Sequence, residues 1–142
     1  MKQESLQLLS IARKARLIEV GEEPVGAACR SQHARLTLLA KDASPHTVRR
    51  VKSFVAGTKQ PWIQLDCSKD DLGAAIGTSS CAIASITDVR LALAFAKTLE
   101  PKENYSELLA DLEERSRRVD ERRKEEKAHL SNKRNGKKMK TR

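Results

Sequence analysis

Few residues in this chain have the types and spacing that chemistry needs. His33, His46 and His129 lie far apart, so they suggest neither a ligand set nor an acid–base pair. Asp70 and Asp71 are adjacent, and adjacent side chains on a helix do not face each other; at a helix start they complement the macrodipole instead. Cys29, Cys67 and Cys81 are an odd number without a Cys-x-x-Cys pair, which points to reduced, buried thiols rather than a disulfide framework or a zinc site. The sequence has no Gly-x-x-x-x-Gly-Lys-Ser/Thr loop, no Gly-x-Gly-x-x-Gly turn, no Gly-x-Ser-x-Gly elbow and no His-Glu-x-x-His pair. Gly73 and Gly77 stand four apart, a spacing that reads first as a close-packing face followed by a helix stop. After them, Gly77, Thr78, Ser79 and Ser80 form a small polar loop where backbone can approach a ligand. The expectation is a protein that is not an enzyme and holds neither a cofactor nor a metal.

Charge offers a different chemistry. The 142 residues include 28 Lys and Arg against 19 Asp and Glu, a net charge of +9, and a positive surface attracts polyanions whatever its architecture. Candidate contacts for a nucleic-acid backbone are Arg13, Lys14, Arg16, Arg30 and Arg35, and then Lys133, Arg134, Lys137, Lys138, Lys140 and Arg142 near the C-terminal end. With one Trp, one Tyr and two Phe, a stacking platform for single strands is not expected, and structured RNA read by shape and at exposed bases fits better. No stretch approaches the roughly 18 consecutive apolar residues of a membrane span, and the first residues open directly into an amphipathic pattern. The expected setting is the cytoplasm, with no membrane partner.

The elements that must position these residues alternate along the chain. Leu8, Ile11, Ala12 and Ala15 recur at helical spacing over residues 3–16. A short β-capable run at 17–20 leads through a loop at 21–23 to a second helix opened by Pro24. The nearly unbroken apolar run 36–40 suggests a strand covered on both faces. Pro45 opens a third helix, 62–65 is a strand, Ser68 caps a helix stopped by Gly77, 81–86 is a strand and Asp88 opens the last core helix. This pattern predicts an α/β fold, a three-layer α/β/α sandwich on a four-stranded mixed sheet.

Beyond Pro101 the composition shifts. Residues 99–142 hold 14 Lys and Arg against 10 Asp and Glu in less than a third of the chain. The pairs Asp111/Arg115, Glu113/Arg117, Glu114/Arg118 and Asp120/Lys124 stand four apart with the acid first, which supports a charged helix. Leu108, Leu109 and Leu112 could dock that helix on the core or on a protein partner. Expected domains are therefore 1–100 as the binding body, 101–130 as a charged helical extension and 131–142 as a disordered basic tail.

Order and spacing carry one further signal. Gly21-Glu22-Glu23 leads into a helix; Ala34-Arg35-Leu36-Thr37-Leu38-Leu39-Ala40-Lys41-Asp42-Ala43-Ser44-Pro45 and Asp71-Leu72-Gly73-Ala74-Ala75-Ile76-Gly77 follow, and then a strand and Thr87-Asp88. Over about residues 5–98 this resembles the L-seven-Ae and thirty-e family of large-subunit ribosomal proteins, and more narrowly its small bacterial YlxQ-type members. The resemblance implies an α/β/α sandwich that binds structured RNA, in many relatives a kink-turn, and an association with the ribosome or ribosomal RNA. In those relatives a Gly-x-Asn-Glu-x-x-Lys segment reads guanine edges and phosphates, and the loop after the Leu-Gly-x-Ala-x-Gly helix covers an extruded base. By position Gly21 matches the glycine, while Glu23 stands for asparagine, Pro24 for glutamate and Ala27 for lysine. The resemblance thus implies an RNA face built from Gly21, Glu22 and Glu23 beside Gly77, Thr78, Ser79 and Ser80. Glu22 and Glu23 repel phosphate but could accept hydrogen bonds from base amino and imino groups.

Overall fold

A computed structural model describes the backbone of residues 1–140 and the side chains of residues 1–132. The chain runs α1 (Gln3–Lys14), β1 (Ile18–Val20), α2 (Glu22–Arg30), β2 (Leu36–Leu39), α3 (Pro45–Val55), β3 (Trp62–Gln64), α4 (Lys69–Ile76), β4 (Ile83–Ile86), α5 (Val89–Lys97), one tighter turn (Lys102–Tyr105) and α6 (Ser106–Lys140). The strands form one mixed sheet in the order β1-β4-β2-β3; β4 runs against both of its neighbours and β3 runs parallel to β2.

Caps explain three of the helix starts. Ser44, Ser68 and Asp88 each accept a backbone N–H three residues on, from Thr47, Asp71 and Leu91, which satisfies donors that the helix cannot. Pro45 fits the first turn of α3, where a missing N–H costs nothing. α2 starts two residues earlier than Pro24 suggests: Glu22 is already helical and Gly21, at φ 99°, makes the turn from β1. A positive φ of that size suits glycine alone without strain, so the bend between strand and helix belongs to Gly21.

Each face of the sheet buries its own cluster. Leu36 and Leu38 of β2 join Leu9, Ala12, Leu72, Ile76, Ala92 and Phe95 from α1, α4 and α5. Leu39, one position off in the pleat, meets Val25, Cys29 and Val51 from α2 and α3 on the other side. All four β2 residues are buried, as an apolar run covered on both faces requires. The polar residue of that run, Thr37, donates to Ser85 of β4 at 3.2 Å.

α6 extends the first face. Leu112 is fully buried in the body's own core, with Leu108, Leu109 and Val119 packed around it. The three leucines therefore pack within the chain, Leu112 fully and Leu108 and Leu109 in part. Two of the expected pairs form, Asp111 with Arg115 at 3.1 Å and Glu114 with Arg118 at 3.3 Å. Glu114 takes Arg117 in place of Glu113, which holds its carboxyl below the ordinary range. Asp120 does not serve Lys124; it reaches across to Arg90 of α5, because α6 lies against that helix. From residue 121 to 132 every side chain is exposed. Of the tail expected at 131–142, the backbone as far as Lys140 belongs to α6, while residues 141–142 and the side chains from Lys133 onward lie outside the described residues.

Candidate functional site

The strand order brings the candidate residues to two opposite ends of the sheet. At one end β1 and β2 finish and β4 starts: the Gly21 N–H donates to the Ile83 carbonyl at 3.1 Å and the Ala40 N–H to the Ala82 carbonyl at 3.0 Å. Gly21, Glu22 and Glu23 thus lie at the end of the sheet where the loop 77–80 leads into β4. At the other end β1, β2 and β3 begin and β4 finishes: the Arg35 N–H donates to Ile86 and the Thr87 N–H to Leu17, both at 2.8 Å. Arg16 and Arg35 belong here, a strand's length from Gly21.

The loop 77–80 is held by its own helix. A Cβ at Gly73 would stand 2.8 Å from the backbone of Ser80, so only glycine lets the loop lie this close. Gly77, left-handed at φ 91°, turns the chain out of α4, and the Cys81 N–H then donates to the Lys69 carbonyl at 3.0 Å. Arg13 is near enough to this loop to act on Cys81, where its charge opposes the burial that pushes the thiol up.

Glu22 is already engaged. The Thr47 hydroxyl donates to its Oε1 at 3.3 Å, and Arg50 Nε lies 3.7 Å from its Oε2. Arg50 also stacks over the Phe54 ring, 5.1 Å from the centroid, and Phe54 packs against Gly26 of α2. This carboxylate ties α2 to α3 rather than standing open to a base edge. Glu23 is exposed and has no such tie among the described residues.

The two ends differ in charge. Around Gly21 and the loop, the segments that flank the strands carry Glu22, Glu23, Asp42, Asp66, Asp70 and Asp71 against Lys41 and Lys69, with Arg13 near Cys81 and Arg50 on Glu22 from the neighbouring helices. At the opposite end Arg16, Arg35, Lys59 and Arg90 stand beside β1, β2, β3 and β4 respectively. Of the acids near it, Asp88 caps α5 and Asp120 pairs with Arg90, while the exposed Glu19 of β1 lines a cavity with His33 and Thr87. Among the described residues Arg16, Arg35 and Lys59 have no carboxylate partner. Arg30 folds back over Gly26 of α2. Lys59 and Arg90 are not among the residues singled out from sequence. Their signal is position beside a strand at one shared end, which only the strand directions reveal.

Among the described residues no group of three His, Cys, Asp or Glu side chains could hold a metal. His33 shares a hydrogen bond with Ser31 at 3.1 Å, while His46 and His129 are exposed and distant. The thiols are buried and free, with Cys67 pushed up to about 11 by desolvation.

These features define a small α/β/α sandwich module with an acidic and a basic end. No protein-family model matches the chain. It is 33% identical over 81 residues to the RNA-binding protein YlxQ of Bacillus subtilis (strain 168), an alignment that covers 57% of this chain and 80% of that protein. The chain belongs to the L-seven-Ae and YlxQ-type family. A structure of a protein with unknown function from Bacillus halodurans C superposes with a TM-score of 0.59 at 26% identity, over 66% of this chain and 98% of that one. The Giardia lamblia 15.5kD RNA binding protein shares the fold, with a TM-score of 0.56 at 24% identity over 66% of this chain and 80% of its own.

Proposed function

We propose that this is a non-enzymatic RNA-binding protein that docks on structured RNA in the cytoplasm, with ribosomal RNA or the ribosome as its setting. The observation that carries the reading is membership of a family whose Bacillus subtilis relative is named an RNA-binding protein, in a chain of net charge +9. The small number of aromatic side chains favours folded RNA over single strands. The basic residues 133–142 add cations for the same partner. An adaptor that recruits proteins through Leu108, Leu109 and Leu112 loses support, since those side chains pack on the body itself.

The test is direct binding of the full chain to a labelled RNA hairpin with an internal loop, followed by fluorescence anisotropy at rising salt. A steep, linear fall of log affinity with log salt is expected, because binding releases counterions from the phosphates and salt opposes that release. Absence of binding at low ionic strength rejects the reading.

A further inference from the structure

We propose that α6 beyond Asp120 is a second RNA-docking element, separate from the body, which lies along the phosphates of a double-helical stem and supplies the larger share of the electrostatic affinity. The inference rests on the RNA-binding reading above and adds which part of the chain meets the stem.

The first support is where the charge resides. Residues 1–120 hold 18 Lys and Arg against 16 Asp and Glu, whereas residues 121–142 hold 10 against 3. The net charges are +2 and +7, so most of the chain's +9 belongs to its last part. A balanced body can still present local cations to RNA, but the surplus that draws a polyanion lies on the extension.

The second support is a boundary at Asp120. Up to that residue the charges of α6 are spent within the fold: Asp111 on Arg115, Glu114 on Arg117 and Arg118, and Asp120 on Arg90. Beyond it Arg122, Arg123, Lys124 and Lys127 are exposed and pair with no carboxylate among the described residues. Arg123, Lys124 and Lys127 line an open groove of about 560 Å³ with Arg90. Asp120 and Glu126 line it too; Asp120 is neutralised by Arg90, which leaves Glu126 against three cations. The helical repeat turns Glu121 and Glu125 away from that groove.

The third support is reach. α6 continues to Lys140, so its part beyond Asp120 extends for about 30 Å at 1.5 Å per residue, roughly the width of a small domain. All side chains from 121 to 132 are exposed, and none is needed to hold the body together. The helix also lies beyond residues 5–98, over which the family resemblance runs, so its contact adds to whatever the body makes.

Composition selects among polyanions. Residues 121–142 include no Phe, Trp or Tyr on which single-stranded bases could stack. Between 121 and 132 the apolar residues are Ala128 and Leu130, too few for a face that enters a lipid surface. The phosphates of a paired stem require neither.

The experiment measures full-length variants on two labelled RNAs at rising salt: the hairpin with an internal loop, and a hairpin whose stem is fully paired. Arg123→Gln with Lys124→Gln and Lys127→Gln is expected to weaken binding to both at least about tenfold and to leave the preference between them unchanged. The salt slope is expected to fall by about three, one unit for each phosphate no longer neutralised. Glu125→Gln with Glu126→Gln is expected to tighten binding to both. Glutamine keeps the helix propensity and all five positions are exposed, so both variants are expected to melt as the parent does in circular dichroism. If the first variant binds as the parent does, or loses affinity for the looped hairpin alone, the placement is wrong although the RNA reading stands. A second variant that binds more weakly also overturns it, because the helix and not its charge would then be at issue. A parent that ignores both RNAs and sediments with phosphatidylserine vesicles instead overturns the RNA reading and the placement together.

Discussion

Gly73 in the middle of α4 faces the backbone of Ser80 so closely that a methyl group there would stand 2.8 Å from the Ser80 Cα and N. Real Cβ atoms do not reach that distance, and the obstacle is main chain rather than the end of a flexible side chain. Gly73→Ala is therefore expected to destabilise the fold by about 1 to 3 kcal/mol, the usual cost of overpacking, although alanine is the better helix former. Urea unfolding followed by circular dichroism measures it. A variant as stable as the parent shows that the loop 77–80 is free to move away from α4.

Leu112 joins α6 to the body, with no exposed surface and its neighbours drawn from the first sheet face. Truncation to alanine leaves a cavity as well as reduced burial, and about 2 to 5 kcal/mol of stability is expected to go with it. Leu130, further along the same helix and 55% exposed, is the internal control: Leu130→Ala stays within about 0.5 kcal/mol of the parent. Equal effects at the two positions remove the docked reading of α6.

The cysteines give a pH-dependent prediction. Burial pushes all three thiols up, Cys67 to about 11, and the thiolate is the reactive form. At pH 8 the native protein is expected to react with a thiol reagent far more slowly than the urea-unfolded chain, whose thiols ionise near about 8.5. The native rate of Cys67 rises only as pH climbs towards about 11. Native and unfolded rates that agree at pH 8 place the thiols in water.

What the sequence discloses about this fold is mostly local. Ser68 can be read as a cap and Asp88 as a helix opener because the residue type and the helix start are neighbours in the chain, and each accepts the bond expected of it; Ser44, which that reading passes over in favour of Pro45, does the same for α3. The run 36–40 announces a strand buried on both faces, and the pleat then divides Leu38 from Leu39 between the two clusters. Gly21 and the loop 77–80 come together because β1 ends where β4 starts, which the resemblance to a known family implies and periodicity alone does not. Asp120 reads from sequence as the partner of Lys124, since a helical repeat shows the side chain four residues on but not a second helix lying alongside. Glu22 reads from sequence as an open carboxylate for the same reason: Thr47 and Arg50 belong to another element. The grouping of Arg16 and Arg35 with Lys59 and Arg90 is hidden until strand direction is known, because nothing in a strand's composition says which end points where.

Arg16, Arg35 and Lys59, without a carboxylate partner among the described residues, gather positive charge where β1, β2 and β3 begin. In the field of a polyanion a molecule with charge so gathered is turned before it touches, and fewer collisions are wasted. Added salt shortens the reach of that torque, and the rate of encounter suffers more than the lifetime of the complex once it has formed.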